Sequence, residues 1–95
     1  MQIIVTDHSA KSYSTGDYLF IGMTCGKHSA TVVVCTGKRS YVQVVVHNAA
    51  NRCWRGMGKD FDDRESAKAN YKTGEIRAMI DYACDEAERI YAAVS

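Results

Sequence analysis

The sequence predicts an α+β fold, in which an antiparallel β-meander of four to five strands packs against one long C-terminal α-helix. Three observations carry this. Segments rich in β-branched and aromatic residues fill the first half, short turns bearing glycine separate them, and from Phe61 onward the apolar residues recur at helical spacing.

The strands read as QIIVT (2–6), YLFIGMTC (18–25), ATVVVCT (30–36) and YVQVVVH (41–47). Between the first two, the polar stretch DHSAKSYSTGD reads as the longest loop. CGKHS and TGKRS read as hairpin turns, and NAAN as a turn leading into a weak fifth strand around RCWRGM. A three-residue loop from Gly37 to Arg39 places Ala30, Val32 and Val34 on one face with Val42, Val44 and Val46. The other face then holds Thr31, Val33, Cys35, Tyr41, Gln43, Val45 and His47, a mixed set suited to partial exposure.

Asp62 or Asp63 can cap the helix, with Glu65 in its first turn at the positive end of the dipole, and Gly74 can bend or break it. Beyond Gly74, residues Ile76, Met79, Ile80, Ala83, Ala87, Ile90, Tyr91 and Val94 form one broad apolar stripe. That stripe should lie across the valine face. With no proline and no low-complexity linker, the 95 residues form a single domain, 1–95, with the sheet over about 2–57 and the helix over about 63–94.

No apolar run approaches the roughly 20 residues of a membrane span, and the N-terminus lacks a basic segment followed by a sustained apolar one. The expectation is a cytoplasmic protein with no membrane partner. Cysteines at 25, 35, 53 and 84 show no framework spacing and read as buried thiols. Net charge is +1, but residues 1–59 carry seven Lys/Arg against two Asp, while residues 60–95 carry five against nine acidic groups. A basic sheet region and an acidic helical region follow.

Several constellations invite a chemical reading. GMTCGKHS ends like a phosphate-binding loop, but only three residues separate its glycines where that loop needs four, His28 follows Lys27, and a strand follows the turn, so a nucleotide site is rejected. Cys25, His28, His47 and Cys53 converge at one end of a meander, with ligand types that suit zinc. Their spacing matches no zinc ribbon or finger, and no metal or other cofactor is predicted. Asp7, His8 and Ser9 are hydrolase residue types, but sequence neighbours do not stack into a nucleophile, base and orienter. No enzymatic activity is expected.

Two binding surfaces remain. Asp81, Asp85, Glu86 and Glu88, with Tyr82, form an acidic face near the helix C-terminus, where carboxylates oppose the dipole; Arg89, four residues after Asp85, partly balances them. Solvation of the helix accounts for these groups equally well. The alternative surface is basic: Lys27, Lys38, Arg39, Arg52, Arg55 and Lys59, with Trp54 able to stack on a base. Its two basic turns sit at opposite ends of one strand, about 23 Å apart at the usual rise, and so cannot clamp one phosphate.

WRGMGKDFDDRESAKANYK loosely resembles the DNA-binding domains of the phage-integrase arm type, which set a three-stranded sheet before a packing helix. It covers about a third of the chain and lacks the dense Arg and Trp pattern of those sheets, so no base-reading residue carries over. In kind, a short single-domain chain with a β-meander, one long helix and separated charge patches resembles small phage or mobile-element proteins of the anti-CRISPR type. That resemblance implies a non-enzymatic inhibitor or modulator of a larger host complex, such as a CRISPR–Cas effector, acting by surface occupation. A protein or ribonucleoprotein partner is therefore the expectation, and a nucleic-acid-binding domain is the alternative.

Overall fold

The computed structural model describes residues 2–37, 40–47 and 58–92. Five strands, β1 (Ile3–Tyr13), β2 (Gly16–Cys25), β3 (His28–Gly37), β4 (Tyr41–His47) and β5 (Lys59–Phe61), form one antiparallel sheet in the order of the chain. Two helices follow, α1 (Arg64–Asn70) and α2 (Gly74–Ala92). The α+β architecture expected from the sequence is the one observed.

The β3–β4 register pairs Ala30 with Val46, Val32 with Val44 and Val34 with Val42, the partition that the valine pattern implies. This face joins Leu19, Ile21, Met23 and Cys25 of β2, and it packs under Ile76, Met79, Ile80, Ala83, Cys84 and Ala87 of α2. Ile90 and Tyr91 extend the stripe at the margin of that core. Val94 lies outside the described residues.

One expectation about the strands needs correction. DHSAKSYSTGD is not the longest loop: β1 continues to Tyr13, β2 begins at Gly16, and only Ser14 and Thr15 connect them. Its polarity misleads because β1 is an edge strand, mostly exposed on both faces, and so needs no apolar alternation. A fifth strand exists at Lys59–Phe61, where Phe61 pairs with Val42 and rests against the core. The expected position at 52–57 lies outside the described residues.

The helical region is broken, one of the two outcomes that Gly74 allowed. Asp63 caps α1, its Oδ1 accepting the Ser66 N–H at 2.8 Å. After seven residues the chain extends at Tyr71, and a second helix starts with the Thr73 carbonyl accepting the Arg77 N–H at 3.1 Å. Gly74 is thus the first residue of α2 instead of a bend within a single helix.

The outer sheet face, expected to be partly exposed, hides Val33, Cys35 and Val45. For Val33 and Cys35, larger cross-strand neighbours do this. Cys35 sits between Tyr18 and Tyr41, and Val33 between Phe20 and Gln43. Tyr18 meets Tyr13 edge-on at 5.3 Å, Tyr41 edge-on at 6.4 Å and Phe20 in a stack at 6.4 Å.

One close approach fixes the end of β2 and β3. Gly16 and Gly37 pair across the strands with φ of +149° and +144°, a region essentially confined to glycine. A Cβ on Gly37 would lie 2.7 Å from the Gly16 Cα.

Candidate functional site: an acidic ridge beside a groove

The helices form an antiparallel pair whose contact is electrostatic on its outer side. Arg64 of α1 reaches Asp85 at 2.8 Å, Glu88 at 3.0 Å and Asp81 at 3.4 Å, while Lys68 meets Asp81 at 2.8 Å. Spacings of four and three residues along α2 bring these three carboxylates onto one ridge. Burial would lower the Arg64 pKa, but the Asp85 hydrogen bond and the surrounding negative charge outweigh it and raise it, so the guanidinium stays charged.

Arg64 does not neutralise the ridge. Asp85 is 67% exposed and Glu88 74% exposed, so both keep an oxygen surface toward solvent while two cations, Arg64 and Lys68, serve three acids. Glu86 points elsewhere: Arg89 donates to it from Nε at 3.0 Å and from Nη2 at 2.9 Å, and His8 Nε2 lies 3.4 Å away. Arg89 thus pairs with Glu86 at three residues' distance, and Asp85 instead serves the α1 contact. The Arg89 bonds hold the Glu86 carboxyl below its usual range. Tyr82 stands exposed on α2.

Beside the ridge, between the β3–β4 end of the sheet and the two helices, lies a groove of about 550 Å³. Its floor is Val34, Val42 and Ala87, and its rim carries Asp17, Asp62, Asp63 and Glu88 against, among the described residues, the one cation Arg64. Asp17 accepts the Ser12 hydroxyl at 2.6 Å, and Asp63 is held below the usual carboxylate range by its Ser66 bonds. The Tyr91 Oη is buried there with no partner among the described residues, and burial, then the charge of Asp17, raises its pKa. Burial likewise pushes the Cys84 thiol up, which leaves it protonated and a poor nucleophile. The groove and the acids of its rim could not be read from spacing, because Asp17, Asp62, Asp63 and Glu88 come from three separate segments.

The zinc constellation does not assemble. Cys25 and His28 are a cross-strand pair on the helix side, with Cys25 in the core and His28 4.0 Å from Glu75. His47 pairs with Ser29 and contacts the Thr31 hydroxyl at 3.1 Å on the opposite side of the sheet. Cys53 lies outside the described residues, and among those described no group of three or more His, Cys, Asp or Glu could hold a metal ion. Strand alternation also separates Asp7 and Ser9 from His8, which faces α2.

Of the basic set, Lys27 is exposed in the β2–β3 turn and Lys59 is exposed on β5, two strands away from β3. Lys38, Arg39, Arg52, Trp54 and Arg55 lie outside the described residues. No helix among the described residues is long and apolar enough to cross a membrane. No protein-family model, no curated protein and no solved structure matches the chain.

Proposed function

We propose that this protein is a non-enzymatic binding protein that modulates or inhibits a larger complex by occupying a basic surface of a protein or ribonucleoprotein partner. The observation that carries the reading is the concave acidic surface: a groove with an apolar floor, rimmed among the described residues by four carboxylates and one arginine, continuous with the exposed acids of α2. An apolar floor with a few convergent charged groups is the usual make-up of a recognition site. Its charge selects a basic counterpart and accelerates encounter with it. A phage-type inhibitor of a CRISPR–Cas effector is the specific form of this reading, by class resemblance.

Asp81 and Asp85 are poor test positions, because reversing either also strips α1 of its ion pairs. Asp17 and Asp62, which line the groove and make no ion pair to α1 among the described residues, are better. Capture from a nuclease-treated host lysate should persist with the natural chain and fall about tenfold with Asp17→Lys/Asp62→Lys, at unchanged circular dichroism. Capture that disappears with nuclease, and responds to Lys27→Glu and Lys59→Glu instead, would move the assignment to nucleic-acid binding.

A further inference from the structure

Four large hydrophobic side chains stand exposed among the described residues, and three of them belong to β1: Ile4 at 58%, Val5 at 38% and Tyr13 at 56%. β1 is also an edge of the sheet, eleven residues long, and among the described residues no strand pairs with its outer side. Such an edge presents unpaired N–H and C=O groups to any second strand that fits.

We infer that the second strand is β1 of another copy, paired antiparallel about a two-fold axis at Ser9, so that two five-stranded sheets become one continuous sheet. Side chains of the same sheet face must stand opposite each other, which requires the axis to pass through a residue. With the axis at Ser9, Asp7 of each copy opposes Lys11 of the other, twice by symmetry. Both lie on the face away from the helices, since Asp7 pairs with Gly22, Lys11 pairs with Tyr18, and Lys11 Nζ stands 5.8 Å over the Phe20 ring.

The bulge between Val5 and Asp7 then matters. It inserts one residue, so beyond it the pairing advances by one and Tyr13 comes opposite Ile4. Ile4, paired with Thr24, and Tyr13, edge-on to Tyr18, share the outer face. The two most exposed apolar side chains of the strand therefore cover each other at both ends of the interface. An axis at His8 sets Asp7 against Ser9, and one at Ala10 sets Asp7 against Tyr13; both lose the charge match. Lys11, a residue type that ordinarily guards an edge against arbitrary pairing, here selects a strand that offers Asp7.

Sedimentation equilibrium of the full chain, from about 1 µM to about 300 µM, tests this. The natural chain should show a monomer–dimer equilibrium. Lys11→Asp and Asp7→Lys should each weaken it about tenfold or more, and the double exchange should restore it to within about threefold. A monomer throughout that range, an unaffected dimer in Lys11→Asp, or no recovery in a folded double variant would overturn the proposal. Should a variant not fold, amide exchange on the natural chain decides: protection of alternate β1 amides should fall on dilution, and concentration-independent exchange rejects the pairing.

Discussion

The two faces of the sheet are sealed by different means. Against the helices, aliphatic side chains from β2, β3 and β4 meet the stripe of α2, so their burial depends on a separate element docking. On the outer face, Val33 and Cys35 are buried by their own cross-strand neighbours, with Tyr18, Phe20, Tyr41 and Gln43 flanking them within the sheet. One face is closed by tertiary packing and the other by sheet pairing itself. The inner face should therefore suffer more from truncation.

The largest expected effect tests that contrast. Met79→Ala, at a fully buried position in the inner core, should destabilise by about 3 kcal/mol, since a cavity walled by both layers cannot collapse. Val33→Ala on the outer face should cost about 1 kcal/mol, because its neighbours can settle inward. Urea denaturation of both variants measures the difference, and equal costs would erase the distinction.

A smaller effect addresses how the helices hold together. Arg64→Met keeps the aliphatic stem and removes the cation that bridges Asp81, Asp85 and Glu88. The expected loss is about 1 kcal/mol at low salt, shrinking in concentrated salt because Asp85 and Glu88 are largely solvated. Thermal melts at two ionic strengths read it out; a loss independent of salt would point to packing instead of charge.

The smallest effect is one of pH. The Asp63 cap and the Glu86–Arg89 pair hold both carboxyls below their unfolded values, so their contribution is present above about pH 4, where the unfolded groups are ionised, and is lost as pH falls through the lower folded values. Melting temperature should decline on acidification through that window. Asp63→Asn, which keeps a capping oxygen but cannot titrate, should shallow the decline.

The sequence pattern revealed the inner face well, because strand alternation in β3 and β4 and the helical recurrence after Gly74 both reflect burial against another layer. The acidic face was legible for the same reason: residues off the apolar stripe must face out. What escaped is what local pattern does not encode. DHSAKSY looks like a loop because an edge strand, free of core contact, carries no apolar signature. Val33 looks exposed because its cover comes from larger side chains on neighbouring strands, and Val45 because Gly58, distant in sequence, lies close against it. The acidic groove joins Asp17 to Asp62 and Glu88 across long stretches of chain, and no spacing rule links them.

The glycine pair at the end of β2 and β3 has a consequence for how this chain can vary. When two large residues collide, one can shrink to make room for the other, and the pair drifts together. Gly16 and Gly37 have no such route: each already is the smallest residue, and each obstructs the other with backbone. No second substitution at the facing position can rescue a side chain at either one. In a library of variants, these two sites should tolerate fewer substitutions than any fully buried valine, although neither contributes a side chain to the core.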